Sequence, residues 1–280
     1  MRLISAFLFV IIYFVTFNAN CQKPYKRGAD AFKRNKYELA INFFTQSIRG
    51  NENVEKSFLL RGKAKAAIND HQGAILDFNE VLLRDNKKYN ARMNLAYSYM
   101  KTASYIKAKK HYDTILEIHK PTKEVYHRIS ECYGFMGQPL LTIDYLQKAR
   151  KLAPNDKEIL NNLAFSFLSV EKYDESFEIY SMLFEKDKYN PYLLNNFGYL
   201  KYRMGEKQEG IMLIKQSLGL FPTNAYAFKY LALISIEEKK YSDACLYINL
   251  ALANNYTNKY GSDLEELKSV SLLEKYFEQN

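Results

Sequence analysis

Large apolar or aromatic residues recur along this chain every 34 residues, and small residues stand at fixed distances before them. With Pro191 taken as position 1 of the period, position 24 is large in all seven copies: Phe44, Phe78, Tyr112, Leu146, Tyr180, Ile214 and Ile248. Position 8 is always small: Gly28, Gly62, Ala96, Ser130, Ala164, Gly198 and Ala232. Position 20 is small as well: Ala40, Ala74, Ala108, Thr142, Ser176, Gly210 and Ala244. No gap is needed between residues 21 and 258.

Small residues at two fixed positions predict two short antiparallel helices that come close together. Helices approach one another closely only where their side chains are small, so positions 8 and 20 mark the contact inside each hairpin. Position 24 lies one helical turn beyond position 20 on the same face, and its side chain fills the space beside that contact. One such hairpin cannot bury its apolar face alone, so neighbouring hairpins must stack and share a core.

This pattern resembles the tetratricopeptide repeat, a helix–turn–helix unit of 34 residues. Position 17 is Tyr in four repeats and position 32 is Pro in two, as in that family: Tyr37, Tyr105, Tyr173, Tyr241, Pro154 and Pro222. The resemblance implies an all-α, right-handed superhelical solenoid of seven repeats over residues 22–258. The repeat boundaries are 21–54, 55–88, 89–122, 123–156, 157–190, 191–224 and 225–258. Arg27 and Arg61 depart from the family at position 7, where it prefers an aliphatic residue.

The residues between the predicted helices are typical of turns and helix caps. Pro139 stands at position 17 of repeat 4, where it would open the second helix and its missing N–H costs little. Asn155-Asp156 and Thr223-Asn224 offer N-cap oxygens to the helices that follow. Position 15 holds residues that tolerate the left-handed conformation ending a helix in four repeats: Asn35, Asn69, Gly137 and Gly205.

Residues 1–21 predict a secretory signal peptide. A short charged start precedes an apolar stretch over residues 3–17 and a site with small residues. Cleavage after Cys21 would make Gln22 the new N-terminus and place the mature chain in the periplasm or cell envelope of a bacterium. The alternative is a lipoprotein anchored through Cys21, although Asn20 before it fits that signal poorly. Contact with a membrane is expected only if Cys21 carries lipid.

The register stops after Asn258, and residues 259–280 predict a solitary C-terminal capping helix. Ser262-Asp263-Leu264-Glu265 has the pattern of a capping box, and an apolar stripe follows it at helical spacing. Because the last repeat of a solenoid would otherwise expose its apolar face, this helix is expected to cover repeat 7. Docking of a partner is the alternative role.

Charge and motifs point away from catalysis and from nucleic acid. The formal net charge is +9, but the lysines are scattered and no run of five or six like charges occurs. The four histidines form no HExxH pattern, and the sequence has no glycine-rich phosphate loop and no GxSxG motif. His127 and Glu131, one helical turn apart, are interpreted as a polar pair facing a groove rather than a metal site. We expect no catalytic residue, no metal, no cofactor and no nucleic-acid partner.

The resemblance implies a concave groove lined by the first helices of successive repeats, with positions 2, 5, 6, 9, 12 and 13 facing a ligand. Asparagine amides at position 6 can bond both C=O and N–H of a peptide backbone, and aromatic residues at position 9 provide contact area. The candidate ligand-binding residues are Asn94, Tyr97, Arg128, Glu131, Asn162, Phe165, Asn196 and Tyr199. Partial burial of the aromatic rings against the adjacent helix is the structural alternative.

The predicted function is that of a non-enzymatic scaffold or adaptor that holds a peptide or protein segment in this groove. The alternative is an accessory module that binds an envelope polysaccharide or another non-protein ligand and uses the same tyrosines for stacking. The sequence leaves the oligomeric state open.

Overall fold

The computed structural model describes residues 23–254 and residue 256, and these residues form α-helices and turns without a strand. The helices are α1 (Pro24–Lys33), α2 (Tyr37–Arg49), α3 (Val54–Ala67), α4 (His71–Arg84), α5 (Tyr89–Lys101), α6 (Tyr105–Ile118), α7 (Lys123–Phe135), α8 (Pro139–Leu152), α9 (Lys157–Ser169), α10 (Tyr173–Lys186), α11 (Pro191–Arg203), α12 (Lys207–Leu220), α13 (Ala225–Glu237) and α14 (Tyr241–Ala253). The predicted signal peptide (1–21) with Cys21 and the predicted capping helix (259–280) lie outside the described residues.

The helices pair into hairpins, and the chain divides into two compact units between Lys120 and Pro121. The first unit contains the hairpins α1–α2, α3–α4 and α5–α6. The second contains α7–α8, α9–α10, α11–α12 and α13–α14. Inside each unit, successive hairpins also pack on one another. The predicted all-α fold of stacked helical hairpins is therefore confirmed.

The repeating small and large positions form the core of both units. All fourteen small residues at positions 8 and 20 are buried. The large side chains at position 24 are 0–4% exposed, and Tyr112 and Tyr180 are among the largest fully buried side chains. Since every copy of these positions is buried, the apolar periodicity of the sequence marks the interior of the described hairpins.

The contact inside the α11–α12 hairpin is a direct approach of two backbones. A Cβ atom on Gly210 would lie 2.5 Å from the carbonyl oxygen of Gly198, and one on Gly198 would lie 2.7 Å from the carbonyl oxygen of Gly210. In the α3–α4 hairpin the ring of Phe78 takes that place, 2.7 Å from a Cβ built on Gly62. Position 24 thus fills the space beside the contact, as predicted.

In every described hairpin turn the residue at position 15 has the left-handed backbone conformation. The four residues whose types predict it have φ between 57° and 97°: Asn35, Asn69, Gly137 and Gly205. Three other residue types adopt the same conformation, with φ of 54°, 60° and 59°: Ala103, Glu171 and Lys239. Because an ordinary side chain costs about 1–2 kcal/mol there, packing of the two helices imposes the turn.

Several helix starts follow the predicted capping chemistry. The Asp156 side chain accepts hydrogen bonds from the backbone N–H groups of Glu158 and Ile159, and the Asn224 side chain accepts one from Tyr226. Pro139 is the first residue of α8. These contacts satisfy N–H groups that have no partner inside the helix.

The two arginines at position 7 contact the residue at position 23 of their own hairpin. The Arg61 guanidinium donates two hydrogen bonds to the two carboxylate oxygens of Asp77, at 2.9 and 2.7 Å. Lys65 Nζ lies 2.9 Å from the same carboxylate, which is 3% exposed. In repeat 1 the Arg27 guanidinium lies 4.1 Å from the ring centroid of Phe43. In these two repeats a salt bridge or a cation–π contact of the arginine therefore replaces the aliphatic contact that the family prefers.

Adding one methyl group at the glycine contact should destabilise the second unit. We expect Gly210→Ala to cost about 1–3 kcal/mol or more, because the new Cβ meets backbone atoms that must move away. Gly219→Ala, in the same helix with nothing within 4 Å of its Cβ, should instead stabilise by about 0.5–1 kcal/mol. Thermal unfolding followed by circular dichroism measures both changes. If both variants changed the melting temperature by the same amount and in the same direction, the close approach of the two helices would be absent in solution.

Removing the carboxylate at position 23 of repeat 2 should destabilise the first unit. We expect Asp77→Ala to cost about 3 kcal/mol, because Arg61 and Lys65 are then partly buried without a counter-charge. The double variant Arg61→Leu/Asp77→Leu should recover part of the loss, since it replaces one buried ion pair by apolar residues and leaves only Lys65 without its counter-charge. Urea unfolding measures the free energy of unfolding of both variants. A double variant as unstable as Asp77→Ala would contradict this account.

Candidate functional site

Two of the predicted site residues, Asn94 and Tyr97, lie on α5 in the first unit. The Asn94 side chain is half-buried and donates to the backbone carbonyl of Asn90. Tyr97 is 37% exposed, with Lys101 Nζ 5.4 Å from its ring centroid and the His71 ring edge-on at 6.2 Å. Burial, with the Lys101 charge second, lowers the pKa of His71 below its usual value. These side chains form a small aromatic and basic surface within the first unit.

The other six predicted residues lie in the second unit, and three of them line a cavity where α7, α8 and α9 meet. The cavity has a volume of about 310 Å³. Ligand pockets in proteins span roughly 300–1,000 Å³, so this one has room for a side chain or a small fragment. Its lining residues are Ser130, Glu131, Gly134, Gly137, Gln138, Pro139, Thr142, Leu146, Asn162, Phe165, Ser166 and Ser169.

Charged and polar side chains surround the α7 side of this cavity. Glu131 is 9% exposed, and its Oε2 accepts a hydrogen bond from Arg128 Nη1 at 2.8 Å. The Arg128 side chain is the more exposed of the pair: 32% of its surface is accessible to solvent, against 10% for the glutamate side chain. His127, at 6% exposure, is buried too, and its Nε2 lies 2.8 Å from Asn162 Nδ2. Both members of the predicted groove-facing pair are thus buried, and Glu131 reaches the cavity.

A stacked pair of tyrosines connects α11 with α13. The rings of Tyr199 and Tyr230 are nearly parallel, 12° apart in plane, with centroids 4.3 Å apart. The Tyr230 hydroxyl donates to Asn196 Oδ1 at 3.1 Å, and Tyr230 is only 4% exposed. Asn196, which was predicted to bond a peptide, therefore accepts a hydrogen bond from the same position of the next repeat.

An arginine at the end of α11 ties the tyrosine pair to the preceding hairpin. Arg203 Nη1 donates to the Tyr199 hydroxyl at 3.4 Å, and Nη2 donates to Glu171 Oε1 at 3.0 Å. The guanidinium also lies 5.5 Å from the ring centroid of Tyr173. Burial raises the pKa of the Tyr173 hydroxyl above its usual value. The surface combines flat rings with both donors and acceptors at their edges.

Sequence reasoning missed Tyr230 and Arg203, which occupy positions 6 and 13 of their repeats. Both positions belong to the set that the family resemblance assigns to the groove, but only positions 6 and 9 of repeats 3 to 6 were selected. Applying the whole set to repeats 6 and 7 would have found both residues. The cavity itself has no signal in the sequence, because it results from the summed volumes of twelve side chains and backbone segments.

The described residues include no helix that is long and apolar enough to cross a membrane. Within the same part of the chain, no group of three His, Cys, Asp or Glu side chains is placed to hold a metal ion. Cys132 and Cys245 are both buried, and neither forms a disulfide within the described residues.

Part of this chain is similar in sequence to known proteins. No protein-family model matches it. Over 163 residues it is 24% identical to ER membrane protein complex subunit 2-A of Xenopus laevis, which covers 55% of each chain. The same region matches ER membrane protein complex subunit 2 of Xenopus tropicalis, also at 24% identity. The chain thus spans about half the length of the curated relatives that it matches.

Solved structures show the same architecture. A tetratricopeptide repeat protein from Parabacteroides merdae superimposes with a TM-score of 0.73 at 16% identity, covering 87% of this chain and 95% of that one. YrrB, described as a tetratricopeptide repeat protein with an unusual peptide-binding site, gives a TM-score of 0.55 at 18% identity over 66% of this chain and 96% of that one. At these identities the likeness establishes the fold: the described part of this chain has the fold of a tetratricopeptide repeat protein.

Proposed function

We propose that this protein is a non-enzymatic interaction scaffold whose second unit binds an extended peptide or protein segment. The observation that carries the proposal is the surface formed by Asn196, Tyr199, Arg203 and Tyr230, which we call the tyrosine surface. It presents the half-buried ring of Tyr199, which stacks on the buried ring of Tyr230, with an amide and a guanidinium beside the pair. A peptide backbone needs both donors and acceptors, and aromatic and arginine side chains dominate the energetics of such contacts.

The fold supports the same proposal. First helices of neighbouring hairpins lie side by side in the second unit, since α9 packs near α11 and α11 near α13. An extended segment laid across such helices meets the same register positions repeatedly, which suits a polymer with a regular backbone. The description of YrrB as having a peptide-binding site is consistent with this use of the fold.

The tyrosine stack gives less support to a polysaccharide ligand. Sugar rings stack on open aromatic faces, but one face of Tyr199 is covered by Tyr230, and Tyr230 itself is 4% exposed. A ligand would therefore contact the edge of Tyr199 and the Arg203 side chain rather than two free ring faces.

Peptide arrays test the tyrosine surface directly. The full chain is incubated with arrays of random 12-residue peptides, and the affinities of the peptides that bind are then measured in solution. We expect Tyr199→Ala to weaken binding about 30-fold, the size of an interface hot spot. Arg203→Gln should weaken binding as well while leaving both tyrosine rings in place.

The matched control is Tyr189→Ala, which removes a tyrosine that is 73% exposed in the loop between α10 and α11. This variant should bind peptides like the unmodified protein. Loss of affinity that is equal at Tyr189 and Tyr199, or peptide binding that survives both changes on the tyrosine surface, would argue against the proposal. Melting temperatures, recorded for every variant, separate a loss of contact from a loss of folding.

We also propose that the protein is exported to the periplasm or cell envelope, on the pattern of residues 1–21 alone. Membrane contact follows only if Cys21 is lipidated, and no nucleic-acid partner is proposed. The intact mass of the protein isolated from the producing cells tests this export and the processing of its N-terminus. A chain that begins at Gln22 supports cleavage after Cys21, whereas an acylated Cys21 would establish the lipoprotein alternative.

A further inference from the structure

The net positive charge of the described residues lies in the first unit. Residues 23–120 contain 20 lysines and arginines against 10 aspartates and glutamates, whereas residues 121–254 contain 16 of each kind. The formal charges of the two ranges are therefore +10 and 0. A charge excess attracts ligands of the opposite sign, so the position of the cations in the first unit decides what this unit can bind.

The first helices of the first unit, α1, α3 and α5, carry nine of these cations and only two acids. Four of the nine cations have partners inside the unit: Arg27, Arg61, Lys65 and Arg92. The other five form no salt bridge within the described residues, and we call them the lysine surface: Lys26, Lys33, Lys56, Lys63 and Lys101. Lys63 is half-buried and the other four are exposed.

All five lysines occupy register positions that the family resemblance assigns to the groove, namely positions 2, 6, 9 and 13. Helix α1 packs near α3, and α3 packs near α5, so the groove positions of the three helices lie side by side. No acid stands at any of these positions in the described part of the first unit, because Asp30 and Glu55 occupy positions 10 and 1. The lysine surface is therefore of one sign.

The groove positions between the lysines are mostly apolar. Six large side chains at positions 5, 6 and 12 are half-buried: Tyr25, Phe32, Leu59, Leu60, Met93 and Met100. Tyr97 at position 9 is 37% exposed, and Lys101 Nζ lies 5.4 Å from its ring centroid. A ligand of this surface therefore meets exposed positive charges around an apolar floor, and it must supply both acidic and apolar groups.

The spacing of the lysines fits an extended polypeptide. Lys26 and Lys33 are seven residues apart in α1, as are Lys56 and Lys63 in α3, which corresponds to about 10 Å along a helix. Packed helices lie about 8–10 Å apart, so the distance across the helices is similar. Because three residues of extended chain also span about 10 Å, carboxylates at every third position of a peptide match this spacing.

Two other anionic partners fit less well. DNA carries one phosphate per about 3.4 Å of axis on each strand, which is much denser than the lysines, and its backbone has no apolar group for the floor. A membrane surface is bound by apolar side chains that protrude and insert, whereas the six large side chains of the floor are half-buried.

We propose that the lysine surface binds an acidic protein segment in which apolar residues stand between the carboxylates. The exposed ammonium groups would form salt bridges with the carboxylates, and the apolar side chains of the segment would pack on the floor. This is a second binding surface, independent of the tyrosine surface, because its residues all belong to the first unit. The scaffold would then hold two segments of different chemistry.

Defined peptides test the proposal on the full chain by fluorescence anisotropy. The acidic probe is a labelled 12-residue peptide of four Glu-Leu-Ser units, and the neutral probe has glutamine in place of glutamate. We expect the acidic probe to bind at least about tenfold more tightly than the neutral one. Raising the salt concentration from about 0.1 M to about 1 M shortens the Debye length from about 10 Å to about 3 Å and should remove most of this difference.

Two triple variants with the same change in net charge assign the binding to the lysine surface. Lys26→Gln/Lys56→Gln/Lys101→Gln removes one exposed lysine from each first helix and should weaken binding of the acidic probe about five- to fiftyfold. The matched control removes three exposed lysines of the same unit that lie outside the first helices, and it should weaken binding less than about twofold. This control is Lys36→Gln/Lys87→Gln/Lys110→Gln.

Melting temperatures show whether each variant folds. If the first triple variant does not fold, the single variants Lys26→Gln, Lys56→Gln and Lys101→Gln replace it, each with an expected loss of affinity of about twofold or more. Single-stranded DNA of the same length and vesicles of phosphatidylcholine with about one third phosphatidylglycerol are measured in parallel as the other anionic ligands.

Each outcome decides the proposal. An acidic probe that binds no more tightly than the neutral probe would overturn it. Equal losses in the two triple variants would overturn it as well, because the attraction would then come from net charge alone. Tighter binding of DNA or of vesicles than of the acidic probe, lost on removal of the three groove lysines, would assign the surface to nucleic acid or to membrane instead.

Discussion

The close approach of two helices inside each hairpin is the constraint on which the other features of this structure depend. At Gly198 and Gly210 the backbones of α11 and α12 leave no space for even one methyl group. That distance fixes how far apart the helices lie, and the buried side chain at position 24 closes the gap beside it. Since every described hairpin has small buried residues at these two positions, the first helices of neighbouring hairpins within a unit present the same register positions side by side.

The fold could be predicted because its determinants repeat. A single small residue means little, but fourteen at two fixed positions leave one physical explanation, and all fourteen are buried. Helix starts were also accessible from local chemistry, as at Pro139 and Asp156. The signals that failed are those that do not repeat. Arg61 looked like a departure from the pattern, and only the structure shows that Asp77 at position 23 is its partner.

The candidate site was less accessible for a related reason. Position 6 was correctly placed on the first helices, but the hydrogen bonds of two of its asparagines run between repeats. Asn162 contacts His127, and Asn196 contacts Tyr230, each about one period away in the sequence. The 34-residue register predicts which residues are neighbours, but it does not predict which of them form hydrogen bonds. The cavity was even less visible, because a void depends on how several side chains fill space together.

The left-handed turns have a consequence for where the repeats begin to unfold locally. Ala103, Glu171 and Lys239 hold a conformation that glycine and asparagine adopt more easily, so the hairpins of repeats 3, 5 and 7 store conformational energy in their turns. In a linear array each hairpin is held by its neighbours, and partial unfolding starts where the local free energy is lowest. Those three hairpins are therefore the points at which amide hydrogens would exchange first, and each of them is next to a hairpin with a relaxed turn. Within the second unit the strained turns of repeats 5 and 7 thus alternate with the glycine turns of repeats 4 and 6.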